Sequence, residues 1–347
     1  MPLVGREREL AELEAVWRAV TGGSGAAALV RGEAGMGKTR LATELRHRAS
    51  AAGAHAAACA ALDLGGSAPL SLWAELIREL LPGLAAPPAD SAWPEDLAVL
   101  ASELPAHFAC GGASSTVVAP DLQRTRLFEA IVALLAWAAR EHPVLLVLED
   151  VHAADRPSLE LASYVARRVA GLPIMMLLTR RELPHSADAD GLEAALRARG
   201  LLACELPLAP LADAPMAALA LRAAALSDVD VRRVVERAEG NALLAVETAR
   251  ALGRGLGDEV APSLRSSVRA TISPLPVEVR RLVELMAVAA RPLEPVELGG
   301  LGLPDPDEDA SRALETGLLV GGDGRLGFRH ALLRDAVYEE IADPRRR

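Results

Sequence analysis

The spacing of apolar and polar residues divides the first two thirds of the chain into short strands and amphipathic helices. Helices are predicted where apolar residues recur at helical spacing, over Gly5–Val20, Thr39–Ala52 and about Ser158–Ala170. Short continuous apolar runs predict buried strands at Ala26–Val30, Val144–Leu148 and Ile174–Leu178. Because strands and helices alternate, the pattern predicts a parallel sheet with helices on both of its faces.

The rest of the pattern is mostly helical. Residues 69–140 are predicted to be helical apart from loops at about 82–92 and 111–120, and a second helical stretch runs from Leu206 to about Ala270. After it we predict three helices, a hairpin around a Gly-Gly-Asp-Gly turn and a last helix, an order that matches a winged helix. Those elements are Pro276–Ala290, Glu294–Gly299, Asp307–Thr316, the hairpin strands Leu318–Val320 and Arg325–Phe328, and Ala331–Ile341.

Charge and cysteine content exclude several classes of protein. The 347 residues carry a formal net charge of −10, so the chain lacks the bulk positive charge of a nucleic-acid-binding surface. Its basic run is confined to Arg345–Arg347, the apolar runs are too short to span a bilayer, and the charged N-terminus does not resemble a signal peptide. Cys59, Cys110 and Cys204 are widely spaced and predict neither a disulfide framework nor a zinc site, which suits a cytoplasmic protein without membrane contact.

The chain contains a single lysine, Lys38, which stands in the segment Gly-Glu-Ala-Gly-Met-Gly-Lys-Thr. This segment fits the G-x-x-x-x-G-K-[ST] pattern of a phosphate-binding loop (P-loop), with a strand before it and a helix after it. Glycines let backbone N–H groups turn towards phosphate oxygens, and the helix presents its positive end. We therefore expect nucleotide phosphates to be bound by Gly32, Glu33, Ala34, Gly35, Met36, Gly37, Lys38, Thr39 and Arg40.

Two acidic residues, Glu149 and Asp150, directly follow the predicted strand that runs to Leu148. We expect one of them, Glu149 or Asp150, to hold Mg²⁺ together with the Thr39 hydroxyl, while the other polarises the water that attacks the γ-phosphate. Lys38 would neutralise phosphate charge in that reaction. The spacing leaves open which acid has which role.

Further polar residues follow the predicted strands that run to Leu148 and to Leu178. Arg180 ends the second strand and would lie beside the γ-phosphate if the strands are neighbours, with Arg181 as the alternative. His152 and Asp155 follow the acidic pair and would position water or connect the site to a lid.

Four segments occur in a characteristic order: LVGRERE from Leu3, the P-loop, LVLEDVHAAD and LLTRRE. With them the chain resembles the STAND class of signal-transduction ATPases. More narrowly, it resembles the N-terminal module of large ATP-binding LuxR-type transcriptional regulators, the MalT-like group. The resemblance covers nearly the whole chain, through GNALLAVETARAL from Gly240, the helical stretch at 265–276 and FRHALLRDAVYEEI from Phe328.

The resemblance implies a P-loop NTPase domain over residues 1–205, a helical lid over 206–270 and a winged helix over 271–347. It places Val4, Gly5 and Arg6 beside the adenine of ATP or ADP, and His330 towards the β-phosphate in a closed state. The chain departs from the family where the lid turn has Ala242 instead of proline, and where the first acid is Glu149 instead of aspartate. The longer glutamate predicts slow hydrolysis.

Such proteins are switches, closed with ADP and opened by ATP and an inducer, often towards homo-oligomers. Family members bind DNA through a LuxR-type helix-turn-helix that is absent from these residues. The segment 271–343 itself contains 7 arginines and 14 acidic residues, which argues against DNA contact there. Three alternatives stay open: the same module regulating a fused cyclase or kinase, a steadily cycling AAA-type remodelling ATPase with an arginine finger at Arg167, Arg168 or Arg181, and a nucleotide-binding scaffold without hydrolysis.

Overall fold

The computed structural model describes residues 3–61, 69–88, 91, 93–98, 100, 120–183, 185–255, 262–300, 303–322 and 324–341. Its centre is a parallel sheet of five strands in the order β2-β3-β4-β1-β5. The strands are β1 (Ala26–Arg31), β2 (His55–Ala60), β3 (Val144–Glu149), β4 (Ile174–Arg180) and β5 (Leu202–Pro207). This is the α/β arrangement that the sequence predicts.

Two strands of the sheet were missing from the sequence prediction. The predicted strands β1, β3 and β4 form the middle of the sheet, and they are almost completely buried. The missed strands lie at the two edges. Strand β2 reads His-Ala-Ala-Ala-Cys-Ala, and alanine favours helix, while β5 buries only Leu206 and therefore lacks a continuous apolar run.

Helices follow the strands as the alternation predicts. Those of the first 200 residues are α1 (Glu7–Thr21), α2 (Lys38–Ala51), α3 (Ser71–Leu80), α4 (Trp93–Leu97), α5 (Pro120–Ala138), α6 (Arg156–Arg168) and α7 (Ala187–Ala198). A 3-10 turn, Val151–Ala153, follows β3. Residues 101–119, with Cys110, and 342–347, with the terminal arginines, lie outside the described part of the chain.

The sheet is covered on both faces. In β3, Val144, Leu146 and Leu148 pack with side chains of α3, α5, α6 and α7, whereas Leu145 and Val147 pack with α1 and α2. The alternation follows from the strand period of two. Whether a residue at a strand end occupies an odd or an even position of the strand therefore determines which helical layer its side chain contacts.

The second half of the chain is helical and packs on a core of its own. Its helices are α8 (Asp213–Ala223), α9 (Asp228–Ala238), α10 (Ala242–Gly253), α11 (Pro262–Ile272), α12 (Val277–Ala289), α13 (Pro295–Gly299), α14 (Pro306–Glu315) and α15 (Ala331–Glu340). An antiparallel hairpin, β6 (Leu319–Gly322) and β7 (Arg325–Phe328), precedes α15. The predicted elements are therefore present in order, while their assignment to a winged helix stays a prediction.

One apolar cluster extends from Leu211 to Ile341 and includes residues from both predicted C-terminal segments. The sheet, by contrast, extends to Pro207, just past the predicted boundary at 205. The division at residue 270 stays a prediction. No helix in the described residues is long and apolar enough to cross a membrane.

Candidate nucleotide-binding site

The loop between β1 and α2 has the backbone shape that its glycines allow. Gly35 and Gly37 have φ of +82° and +93°, a backbone region that residues with a Cβ rarely adopt. A Cβ on Gly35 would also lie 2.3 Å from the Asn241 side-chain oxygen. The loop therefore depends on glycine both for its turn and for close contact with the helical half of the chain.

Lys38 begins α2 and folds back over the loop. Its Nζ donates hydrogen bonds to the carbonyl oxygens of Gly32 and Glu33, at 2.8 and 2.9 Å, and the residue is only 7% exposed. Burial lowers the pKa of Lys38 to about 8, the nearby Asp150 carboxylate opposes this shift, and Arg181 adds to it. An incoming phosphate would favour the charged ammonium form and so oppose this lowering of the pKa.

The carboxyl ends of β1, β3 and β4 meet at one edge of the sheet, where Asp150 follows β3. Its backbone has φ of +52°, and its N–H donates to the Thr179 hydroxyl at 3.0 Å. Asp150 lines the same cavity as Lys38 and Thr39, and Glu149 is not part of that lining. The geometry therefore favours Asp150 as the acid that faces a nucleotide.

The two arginines after β4 have different surroundings. Arg180 is 4% exposed, and its guanidinium forms ion pairs with Asp190 at 2.7 Å and Glu193 at 2.6 Å in α7. Arg181 lines the cavity instead, with its Nε 3.9 Å from an Asp150 oxygen and without a hydrogen-bond partner among the described residues. The sequence placed Arg180 beside the γ-phosphate, but the structure turns its side chain towards α7.

The two residues singled out after the acidic pair also differ in role. His152 accepts a hydrogen bond at its Nδ1 from the Arg181 backbone N–H at 3.4 Å, and burial lowers the pKa of His152 to about 4. The ring is therefore neutral at pH 7 and connects the acidic strand end with Arg181. Asp155 caps α6: its side chain accepts from the N–H of Ser158 at 3.0 Å and from that of Leu70 at 3.2 Å.

The cavity at this sheet edge has a volume of about 530 Å³ and a lining that combines polar loop residues with apolar side chains. Its loop lining comprises Ala34, Gly35, Met36, Gly37, Lys38, Thr39 and Arg40, without Gly32 or Glu33. Leu3 and Val4 contribute apolar side chains to the lining, whereas Gly5 makes a turn with φ of +70°. Arg6 anchors the N-terminal segment by donating to the carbonyl oxygens of Ala209 and Met36, at 2.5 and 3.3 Å.

The helical half contacts the loop directly through the start of α10. The Asn241 side chain donates to the Ala34 carbonyl at 2.9 Å, and the Leu243 N–H donates to the Gly35 carbonyl at 3.1 Å. Asn241 also caps α10 by accepting from the N–H groups of Leu243 and Leu244. Ala242 lines the cavity, so the helix reaches the nucleotide site without the family's proline.

Comparison with known proteins agrees with this geometry. The AAA ATPase domain matches residues 2–178, which is about half of the chain. The chain belongs to this family. A protein of Rhizobium meliloti (strain 1021) of uncharacterized function is 26% identical over 385 residues, which cover 98% of this chain. The chain spans 35% of that relative's length.

Two solved structures of low sequence identity align with nearly all of this chain. The Aeropyrum pernix ORC2 protein, determined as ADPNP-ADP complexes, superposes with a TM-score of 0.56 at 14% identity, covering 97% of this chain and 93% of that one. A STAND protein with a tetratricopeptide repeat sensor from Pyrococcus horikoshii gives a TM-score of 0.43 at 15% identity, covering 98% of this chain and 43% of that one. The first of these likenesses supports the α/β fold of a P-loop NTPase.

The ATPase domain fits a magnesium ion only when a nucleotide supplies further ligands. No group of three or more His, Cys, Asp or Glu side chains suited to a metal occurs in the described residues. Thr39 and Asp150 nevertheless line the cavity together. Magnesium is usually bound by one or two carboxylates, waters and substrate phosphates, so this pair is sufficient protein contribution.

The segment between β7 and α15 also touches the P-loop. Arg329, just after β7, forms an ion pair with Glu33. The next residue, His330, is buried, with its Nδ1 3.0 Å from Glu239 and its Nε2 4.0 Å from Glu33. The Nε2 atom has no hydrogen-bond partner within the described ranges. His330 therefore lies next to the loop, and its contact with a β-phosphate stays a prediction.

Several contributors to this site were not singled out in the sequence. Arg329 was passed over beside His330, and Thr179 beside the arginines, although a polar residue that ends an apolar strand is a usable signal. Glu247 and Arg250 of α10 also line the cavity, but on a helix they read as ordinary surface charges. The arginine-finger candidate Arg168 is held by an ion pair with Glu129 at 2.5 Å.

Proposed function

We propose that this chain is the ATP-binding, slowly hydrolysing switch module of a bacterial LuxR-type regulator. In this proposal ADP holds the module closed, and ATP with an inducer opens it, with homo-oligomers forming in the ATP state. The observation that carries it is the contact of Arg329 and His330 with Glu33 of the P-loop. This contact connects the loop that would hold the phosphates with the segment that leads into α15.

The residues around the cavity suit water attack on the γ-phosphate of ATP. Lys38 neutralises phosphate charge after leaving its two carbonyl partners in the loop. Mg²⁺, when bound with ATP, would be held by Thr39 and Asp150 and would neutralise the developing charge. Glu149, at the end of β3, is left to orient the attacking water.

A switch needs a ligand that binds its two states with different affinity. Arg181 faces the cavity near Asp150 and would interact with a γ-phosphate, which only ATP supplies. His330 and Arg329 contact the loop at Glu33, in the arrangement that we assign to the ADP state. ATP therefore makes an interaction that ADP lacks, and such a difference between the ligands is what a population shift requires.

The first experiment identifies the nucleotide that the purified protein retains. The protein is denatured, and the released nucleotide is quantified by chromatography for the wild type and for Lys38→Ala. We expect about one ADP per chain from the wild type and none from the variant, because Lys38 belongs to the phosphate site. Wild-type protein that is purified without nucleotide would overturn the ADP-closed switch.

Turnover separates the switch from a steadily cycling remodelling ATPase. A switch is expected to hydrolyse ATP slowly and to release ADP still more slowly, since the C-terminal contact has to open first. Multiple-turnover and single-turnover assays on the same preparation measure both steps. Fast steady-state turnover without accumulation of bound ADP would favour the remodelling ATPase.

A further inference from the structure

Two carboxylates line the nucleotide cavity among the described residues. In the described part of the chain, the acidic residues that line it are Asp150, beside the phosphate-binding residues, and Glu247, on α10. The Glu247 side chain is only 12% exposed. A polyphosphate repels carboxylates, so a second one is tolerated where the ligand offers hydrogen-bond donors. On a nucleotide, those donors are the sugar hydroxyls and the amino group of the base.

The position of Glu247 along α10 indicates which donors it meets. The first turn of the helix is fixed on the P-loop by the hydrogen bond from the Leu243 N–H to the Gly35 carbonyl, at 3.1 Å. Glu247 lies four residues further, one turn or about 6 Å along the helix axis, on the same face. In a nucleotide whose phosphates occupy the loop, the group at that distance is the sugar.

The surroundings of Glu247 agree with this assignment. The same cavity is also lined by the apolar side chains of Leu211, Leu219 and Val246, which suit the flat face of a base. Arg250, one turn further and half-exposed, holds the Glu247 carboxylate through an ion pair of 3.0 Å. The pair fixes the orientation of the carboxylate at the cavity wall.

We propose that Glu247 selects ribonucleotides over deoxyribonucleotides by accepting hydrogen bonds from the 2′- and 3′-hydroxyls of ATP or ADP. A carboxylate is the group that reads ribose hydroxyls in other nucleotide sites. Hydrogen bonds to a charged acceptor are also stronger than neutral ones. This inference rests on the proposed function only in requiring that the cavity binds ATP.

The test compares the affinities of four nucleotides by titration calorimetry on nucleotide-free full chain. They are ATP, 2′-deoxy-ATP, 3′-deoxy-ATP and purine riboside triphosphate, which lacks the 6-amino group. We expect the wild type to bind ATP roughly tenfold or more tightly than either deoxy form, the loss typical of a charged hydrogen bond. In Glu247→Ala this preference is expected to disappear, and in Glu247→Gln to fall several-fold.

The matched control is Glu236→Gln, the same charge change on an exposed position of α9, and it is expected to keep the wild-type preference. Thermal melts establish that each variant is folded, and Glu247→Gln serves if the alanine variant is not. Equal binding of ATP and both deoxy forms by the wild type would overturn the inference. So would a preference that survives Glu247→Ala, or a uniform loss of affinity for all four nucleotides.

Two further outcomes are distinguishable. If Glu247→Ala changes the discrimination against the ligand without the 6-amino group, then Glu247 reads the base, and the ribose assignment is wrong. If the wild type binds none of the four nucleotides while folded, the proposed function fails, and the ribose inference fails with it. If the wild type binds the nucleotides without a sugar preference, the ribose inference is wrong, while the proposed function is unaffected.

Discussion

Arg329 and Glu33 form an ion pair that joins the C-terminal helices to the phosphate-binding loop. Arg329 is largely buried, and burial lowers the pKa of its guanidinium, while Glu33 is about one third exposed. The pair therefore combines a desolvated cation with a partly hydrated anion. The hydration of Glu33 limits the free energy that the ion pair contributes, but the pair acts on the loop that would hold the nucleotide.

Arg329→Ala is expected to release ADP about two- to fivefold faster than the wild type, because partly exposed ion pairs contribute roughly 0.5–1 kcal/mol. Stopped-flow displacement of a fluorescent ADP analogue measures the rate. Arg325→Ala is the matched control, since this arginine begins β7, the strand that Arg329 follows, but pairs with Glu294, away from the loop. Equal release rates in both variants would show that the contact does not restrain the nucleotide.

Arg181→Ala is expected to lower kcat for ATP hydrolysis by about 100-fold, a loss typical of a charge-stabilising donor. Its guanidinium lines the cavity beside Asp150, whereas Arg180 is held by Asp190 and Glu193. Arg180→Ala is expected instead to reduce the free energy of unfolding, by about 3 kcal/mol at most for breaking a buried ion pair. Urea unfolding and turnover, measured on both variants, would contradict the assignment if the two effects were exchanged.

The sequence alone did not show which of these two arginines faces the cavity, and strand geometry explains why. Arg180 has the parity of Ile174, Met176 and Leu178, which face the layer that contains α7. This alternation can be counted from the sequence, and it would have placed Arg180 on the same face as those three residues. The acids of α7 that meet Arg180 come from a segment whose position follows only from the complete fold.

The central strands were predictable because β1, β3 and β4 are buried on both faces and are continuous apolar runs. The P-loop was predictable because its chemistry fixes residue types at fixed spacing. Contacts such as Arg329 with Glu33 leave no local signal, since each residue is ordinary in its own segment. The contribution of α10 to the cavity is hidden for the same reason.

ATP affinity is expected to fall as pH rises above 8, by up to about tenfold per pH unit, because Lys38 loses its proton near pH 8 in the nucleotide-free protein. Bound phosphates favour the charged ammonium, so binding above pH 8 takes up a proton. Calorimetry at pH 8.5 in buffers of different ionisation enthalpy measures that uptake. Lys38→Arg is the control, since a guanidinium stays charged there; proton uptake that persists in this variant would assign the titration to another group.

The same shift of Lys38 affects folding of the nucleotide-free protein. Its pKa is about 8 when folded and near its ordinary 10.5 when unfolded, so burial of the charge destabilises the fold fully below pH 8. That penalty diminishes as pH rises from 8 to 10.5, where the unfolded chain holds the extra proton. We expect Lys38→Met to be stabilised relative to the wild type at pH 7 and less so at pH 10. Urea midpoints at the two pH values would contradict this if the difference were constant.

Thr179→Val is expected to lower the turnover of ATP, because the Thr179 hydroxyl accepts the Asp150 N–H at 3.0 Å in a backbone turn with φ of +52°. Valine has the same shape but leaves that N–H unsatisfied, which costs about 1–3 kcal/mol when the group is buried. Asp150 would then lose its fixed position beside Thr39. Thr179→Ser restores the acceptor and is expected to recover most of the activity. If valine and serine variants lose activity equally, the methyl packing of Thr179 matters and its hydroxyl does not hold Asp150.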